Sequence, residues 1–335
     1  MKLELQVRHW YNENKRTLPW RGSYNPYLIW VSEVIMQQTR VAQGTAYFLR
    51  FLEKYPTVKN LAEAPIDEVM KLWEGLGYYS RARNLHLAAK QIVAEFNSKL
   101  PDNYTELLKI KGIGPYTAAA ISSICFNERR AVVDGNVYRV LARIYGIDTP
   151  INSSAGIKIF NELASKLIKN CSNPGDYNQA MMEFGALQCV PKNPNCADCI
   201  FRNSCLAYAT GTVPKLPVKI KAKPLKNRYL NYYIFQDADK IAIQKRTVND
   251  IWAGLYQFPL LETEEAPNVD TSDQLITEPV KHILSHQRLH VFFWNSEESK
   301  AKPHENCIWV DVKELYQFPF PIVIKRFIDS NLLHL

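Results

Sequence analysis

Four cysteines within seventeen residues, Cys189-x6-Cys196-x2-Cys199-x5-Cys205, constrain this chain more than any other feature. Four thiolates in a loop rich in Pro and Asn can wrap one soft metal centre, and the flanking chain must then hold both ends of that loop in place. Spacing alone leaves zinc and an iron–sulfur cluster both open. Seven cysteines is an odd count, and the crowding of four of them points to metal ligation in a reducing compartment rather than to a disulfide framework. Cys125, Cys171 and Cys307 read as packing residues. The first ten residues, Met-Lys-Leu-Glu-Leu-Gln-Val-Arg-His-Trp, mix charge with apolar groups, and no run of eighteen apolar residues occurs, so the expectation is a soluble cytoplasmic protein without a membrane span. A net charge of +8 raises the odds of a polyanionic partner, though charge alone does not separate nucleic acid from an anionic membrane surface.

A length of 335 residues allows two domains, each with its own core. Residues 1–208 read as nearly all helical, with periodic apolar stretches at 1–12, 26–41, 44–54, 66–73, 80–97, 104–110, 115–126, 134–145, 155–169 and 176–187 between turns of Pro, Gly, Asn or Asp. Residues 209–228 carry three prolines and six basic residues with no acid, the composition of a stiff, partly extended linker suited to a path along phosphates. Beyond it, Tyr229–Phe235, Lys240–Arg246, Val280–Leu284, Leu289–Asn295 and Cys307–Val310 read as strands, with one or two short helices near 312–333. The class is therefore mainly α, followed by a small α+β domain at 229–335.

Three motifs carry candidate chemistry. In Asn25-Pro-Tyr-Leu-Ile-Trp-Val-Ser-Glu33-Val-Ile-Met-Gln-Gln-Thr-Arg40, Asn25 caps a helix that opens on Pro26, and Glu33 interrupts an otherwise apolar wall. Its helical neighbours are Ile29, Trp30, Met36 and Gln37, so burial should push its pKa from ~4.3 toward the ~6–7 that suits proton donation. A half-exposed glutamate on an amphipathic helix has the same local pattern. In Lys109-Ile-Lys-Gly112-Ile-Gly114-Pro-Tyr116, glycines join a helix end to a new helix, whose opening N–H groups can hold a phosphate without reading a base. A plain helix–helix corner would also explain it. About one helix later, Val133-Asp134-Gly-Asn136-Val places a carboxylate at a helix start, where it can equally be an N-cap.

Together the Gly-x-Gly hairpin, Val-Asp134-Gly-Asn-Val and the cysteine spacing resemble the helix-hairpin-helix DNA glycosylases that carry a [4Fe–4S] cluster. Leu18-Pro-Trp-Arg21, Trp30-Val-Ser-Glu33-Val-Ile-Met-Gln-Gln-Thr-Arg40 and Gly75-Leu-Gly-Tyr-Tyr79 resemble the MutY adenine DNA glycosylases within that superfamily. Trp252-Ala-Gly-Leu-Tyr-Gln-Phe-Pro259 and His282-Ile-Leu-Ser-His286 resemble that family's Nudix-like 8-oxoguanine-recognition domain, with Leu284 standing where an aromatic is the norm. The resemblance implies a [4Fe–4S] cluster on Cys189, Cys196, Cys199 and Cys205, in a loop whose Lys192 and Arg202 meet phosphates. It also implies excision of adenine mispaired with 8-oxoguanine or guanine in double-stranded DNA, by a monomer acting at the nucleoid.

In that reading Glu33 is the general acid at adenine N7, and Asp134 is the ionised carboxylate that steadies the cationic sugar. Tyr116 assists at that cation, Asn136 orients water or Asp134, and Arg21 and Gln179 stand beside the extruded adenine. Gln38 and Tyr78 wedge into the duplex at the lesion pair, Gly112 and Gly114 form the DNA-binding hairpin, and Ser285 with His286 recognises 8-oxoguanine. Tyr116 stands where the endonuclease-III-type lyases carry a lysine, so a monofunctional glycosylase is expected over a pyrimidine glycosylase and lyase. Two further alternatives are a non-catalytic iron–sulfur DNA-binding protein and a Nudix pyrophosphohydrolase. The segment after Gly254 lacks the Glu-rich magnesium helix that the last of these needs.

Overall fold

A computed structural model of the chain describes residues 3–221, 224–246, 250–267, 275–295 and 306–332. It divides into two compact units, one made of residues 1–63 and 87–221, the other of 64–86 and 222–335. The helical segment 64–86 thus packs with the C-terminal strands, although its sequence reads as part of the first helical run.

The first unit contains α1 (Leu3–Asn14), α2 (Pro26–Met36), α3 (Val41–Lys54) and α4 (Val58–Glu63). After α5 (Ile66–Leu72) in the other unit and the shared α6 (Ser80–Glu95) come α7 (Tyr104–Leu107), α8 (Pro115–Phe126), α9 (Gly135–Tyr145), α10 (Ser154–Ile168), α11 (Pro174–Leu187) and α12 (Leu206–Ala209). The starts obey local rules. Asn25 accepts from the Tyr27 and Leu28 amides, Ser153 from Gly156, and Asn173 from Asp176, each relieving a donor that the helix leaves unpaired. α2 stops at Met36 instead of running to 41, because Gln38 takes a left-handed φ of 54° that ends the helical ladder. α8 is lined by buried Ala118, Ala119, Ala120, Ser122 and Ser123, small side chains that let α2 and α11 come close. α1, α9, α10 and α11 enclose a core in which Trp10 meets Phe184 edge-on at 5.0 Å and Phe184 meets Phe201 at 5.2 Å.

The expected linker is less extended than its composition suggests. A 3-10 turn at Val213–Lys215 follows α12, and residues 216–220 lie against the first unit. The Ile151 amide donates to Val218 O at 3.0 Å, and Asn152 exchanges two hydrogen bonds with Ile220. Those pairings satisfy backbone that a free linker would leave to water.

In the second unit the strands are β1 (Lys226–Ile234), β2 (Gln236–Asp237), β3 (Lys240–Lys245), β4 (Tyr256–Gln257), β5 (Leu260–Thr263), β6 (Val280–Ile283), β7 (Gln287–Asn295) and β8 (Ile308–Asp311), with α13 (Ile322–Asn331) closing the described chain. One sheet runs β5-β1-β7-β6, with β1 and β7 parallel in register from Lys226↔Gln287 to Ile234↔Asn295. In the other, β3 pairs with β2, β4 and β8. Alternate residues of β1 and β7, including Leu230, Tyr232, Val291 and Phe293, are fully buried and meet α13, where Phe293 stacks on Phe327 at 3.9 Å. The mainly helical part and the small α+β part expected from the sequence are both present.

Candidate functional site

Glu33, Tyr116 and Asp134 arrive from three different helices at one place in the first unit. α2 brings Glu33, flanked on its own helix by buried Ile29, Trp30 and Val34. The residue is half-buried, yet loss of hydration around its carboxyl dominates and pushes its pKa up to about 7. The nearby Tyr116 hydroxyl opposes that rise, and the charge of Asp134 adds to it. Tyr116, in the first turn of α8, is driven well above the ordinary phenol range by burial and by the same two carboxylates, so it stays a neutral hydroxyl. That hydroxyl donates to Met182 Sδ at 3.5 Å.

Asp134 is the N-cap of α9. Its Oδ1 accepts from the Asn136 amide at 2.9 Å and the Val137 amide at 2.8 Å, while Asn136 Nδ2 donates to Oδ2 at 2.8 Å. Burial outweighs these three donors and the Arg139 guanidinium, so its pKa stands above the ordinary aspartate value, by less than burial alone would push it. Such donors favour the charged form, and Glu33 is offered no comparable set, so the two carboxyls stand in unlike settings. Asn136 is itself held. Arg139 Nη2 donates to its Oδ1 at 2.9 Å, and a Cβ on Gly185 would stand 2.6 Å from the Asn136 Cβ, so only glycine lets α11 pass there.

One functional group in this neighbourhood was not anticipated. Glu183 on α11 is 2% exposed and accepts five hydrogen bonds, from the Arg16 amide and guanidinium and from both Nη atoms of Arg21. Burial alone would raise its pKa, but the bonds from Arg16 and Arg21 hold it down to about 2. Arg21 also lies over the Tyr11 ring at 5.3 Å, and its buried Nε has no hydrogen-bond partner among the described residues. Tyr11 in turn donates to Gln179 Oε1 at 3.4 Å. Gln179, Met182 and Glu183 share one face of α11 by their spacing of three and four, the one sequence signal that could have joined Glu183 to the set. Arg21 and Gln179 are therefore linked to the Glu33 group through α11, whose Met182 meets Tyr116.

In the hairpin, Gly112 has φ +81°, a left-handed turn that favours glycine, whereas Gly114 is extended and caps α8. Gln38 is exposed with φ 54°, and Tyr78 is 45% exposed with φ 47°. Left-handed backbone at non-glycine residues is strained, and strain of this kind persists where the surrounding structure over-determines it.

The second unit holds a cavity of about 310 Å3 lined by Leu76–Ser80, Arg83, Asp250–Trp252 and Ile283–His286. Tyr78, Ser285 and His286 are thus brought together, and Ser285 Oγ lies 3.1 Å from His286 Nδ1. His282 is not in that lining. Its ring packs against Trp252 at 5.9 Å.

Cys189, Cys196, Cys199 and Cys205 are free thiols that line a single cavity with Arg143, Phe184 and Phe201. Arg143, 2% exposed, donates to Cys189 Sγ at 3.4 Å, to Val190 O at 2.8 Å and to Pro191 O at 3.0 Å. Arg139 Nε donates to Cys189 O at 2.7 Å. Burial raises Cys199 to about 11, and the three neighbouring sulfurs add to the rise. Among the described residues no three His, Cys, Asp or Glu side chains converge closely enough to hold a single metal ion. Lys192 and Arg202 are exposed on this loop. Among the described residues no helix is long and apolar enough to cross a membrane.

Residues 31–166 match the HhH-GPD superfamily of base excision DNA repair proteins, and residues 231–330 match the NUDIX domain. The chain is 32% identical over 343 residues to the adenine DNA glycosylase of Buchnera aphidicola subsp. Schizaphis graminum, covering 96% of both chains. It is 42% identical over 207 residues to the adenine DNA glycosylase of Homo sapiens, covering 59% of this chain and 38% of that one. Among solved structures, a thermostable thymine-DNA glycosylase matches with a TM-score of 0.57 and 27% identity, covering 62% of this chain and 95% of the other. With a helical HhH-GPD unit, a NUDIX domain after it and a full-length relative at this identity, the chain belongs to the MutY-type adenine DNA glycosylases.

Proposed function

We propose that this chain removes adenine mispaired with 8-oxoguanine, or with guanine, from duplex DNA. It would act in base excision repair as a monofunctional glycosylase and as a monomer at the nucleoid. The observation that carries the reading is the unequal pair of carboxyls. Glu33, raised to about 7, still carries its proton on about half of the molecules at neutral pH, while Asp134, fed by three hydrogen-bond donors, is the partner assigned the charge. Glu33 passes its proton to adenine N7 as the N-glycosidic bond breaks, and the Asp134 carboxylate stabilises positive charge at C1′. Tyr116, neutral and beside both, completes the wall around the cation, and Asn136 fixes the Asp134 oxygen that faces it. Arg21 and Gln179 flank the extruded base, with Glu183 keeping Arg21 in place. A tyrosine at 116 offers no amine for a Schiff base, which favours hydrolysis over strand cleavage.

Gly112 and Gly114 bind the backbone, and Gln38 and Tyr78 enter the duplex, where a mismatch offsets part of the cost of a few kcal/mol for unstacking a base. Ser285 and His286, in one cavity with Tyr78, read the base opposite. The four cysteines would hold a [4Fe–4S] cluster, which ties the 189–205 loop and presents Lys192 and Arg202 to phosphates. Four cysteines lining one cavity support a group that takes four thiolate ligands. Residues 1–208 would form the catalytic domain, 209–228 the linker and 229–335 the recognition domain. The test is single-turnover base release from duplexes carrying adenine opposite 8-oxoguanine, guanine and thymine, with Glu33→Gln and Asp134→Asn as controls. Release that survives both substitutions would refute the catalytic assignment. Equal rates on the three duplexes would refute the recognition assignment.

A further inference from the structure

Behind the cavity of the second unit lies a closed cluster of charges. Arg228, whose side chain is 10% exposed, uses all five of its donors. Nη1 and Nη2 form a fork onto Asp250 at 2.8 and 2.9 Å, Nε and Nη2 reach both oxygens of Glu262 at 2.6 Å, and Nη1 also donates to Gln287 Oε1 at 3.2 Å. Asp250 accepts further from the Ile251 amide at 2.7 Å and from Arg246. Arg246 Nε binds Ile251 O at 2.9 Å, and the backbone of Arg246 pairs with Gly254 and Leu255. The two oxygens of Asp250 therefore already hold four donors, so this acid is turned toward the arginines rather than toward a ligand. Its pKa is held down to about 2 by the Arg228 bond above all.

The two ends of this cluster adjoin two different segments of the cavity lining. Asp250 leads into Ile251 and Trp252, with φ +59° at Trp252, and that loop forms one wall. Gln287 follows His286 directly and bonds through its carbonyl to the Leu284 amide at 2.8 Å, so it anchors the other wall, Ile283–His286. Arg228 is absent from the lining, yet it is the one side chain among the described residues bonded to both Asp250 and Gln287. A guanidinium fork fixes distance and angle together, which a lysine cannot do.

We propose that Arg228 is a positioning residue for specificity: with Asp250 and Gln287 it sets the gap between the Trp252 wall and the Ser285–His286 wall, and thereby how well 8-oxoguanine is told from guanine. This rests on the reading of that cavity as the recognition site. The experiment compares single-turnover excision of adenine opposite 8-oxoguanine and opposite guanine for the intact protein, for Arg228→Lys and for Gln287→Leu, alongside thermal melting of each. Losing the fork, a charged hydrogen-bond contact, is expected to lower the 8-oxoguanine preference about tenfold in Arg228→Lys. The fall should come from slower excision opposite 8-oxoguanine. Gln287→Leu breaks one wall contact while leaving the ion pairs, and should lower the preference about threefold with little change in melting. A wild-type preference kept by Gln287→Leu and by any folded Arg228→Lys, whatever their melting temperatures, overturns the proposal. If the wild-type protein itself shows no preference, the recognition reading fails instead.

Discussion

Glu33 and Glu183 are both projected from helices into the interior of the first unit, and burial acts on both carboxyls in the same upward direction. Their ends differ because their company differs. Glu183 receives five hydrogen bonds from Arg16 and Arg21 and is driven down to about 2, whereas Glu33 is answered by one phenol and repelled by Asp134, and rises to about 7. The lesson is that depth fixes the cost of a charge, while the cations supplied fix who bears it. The residue proposed to give up a proton near neutrality is denied an arginine. One that must hold a guanidinium still is given two.

The largest break in that comparison should come from Glu33→Gln, which keeps the shape and removes the proton. Single-turnover adenine release is expected to fall by roughly 10³-fold, the range for a lost general acid. Stability should move the other way. The Glu33 carboxyl is raised from 4.5 to about 7, so the folded chain binds the extra proton and loses stability as pH rises through that window. Melting of the variant at pH 8 should therefore match or exceed wild type, and a clear drop there would contradict the buried-acid picture.

Glu183→Gln should instead cost folding free energy, about 3 kcal/mol in urea titrations at pH 7, because two guanidiniums lose their shared anion. The sign with pH is opposite to that of Glu33. A carboxyl held near 2 contributes above its ordinary 4.5 and loses that contribution as pH falls through about 2, so wild type and variant should converge in acid. A gap that stays constant down to pH 2 would mean the clamp acts through packing alone.

Asn136→Ala removes one of three bonds to Asp134, worth about 1 kcal/mol. Asp134 should then ionise less readily, and the acid limb of the excision profile should shift to higher pH with a rate loss of about fivefold. The smallest effect is reserved for Tyr116→Phe. Its hydroxyl favours the ionised form of Glu33, so its loss should carry the alkaline limb, set near pH 7 in wild type, to higher pH. A limb that moves down would assign the hydroxyl the reverse influence.

Much of this was legible in the chain. Asn25 before Pro26 and Asp134 before Gly135 announce two helix starts through local chemistry that distant packing did not override. The dull reading of Asp134 as an N-cap and the catalytic one are both compatible with its geometry. Glu33 stood out because it broke an apolar pattern. Glu183 did not, since its partners Arg16 and Arg21 lie more than 160 residues earlier and no local periodicity reports such a meeting. The same holds for residues 64–86, whose apolar stripe says that they pack but not on what. There Asp67 meets Lys245 at 2.5 Å, and Glu74 receives the Phe320 amide at 3.0 Å. Two-residue strands such as β2 and β4 are too short to show alternation. The arginine hub at 228 lies in β1, which starts at Lys226, whereas the sequence reads 228 as the end of the basic linker and starts the strand at Tyr229.

Asp134 opens α9 with the same oxygen atoms that the reaction would draw on, so one side chain serves scaffold and chemistry together. Asparagine seats a helix start nearly as well as aspartate does. Asp134→Asn should therefore yield a properly folded molecule that can still grip its duplex and yet leaves the base in place, turning the repair protein into a detector for the lesions it can no longer mend.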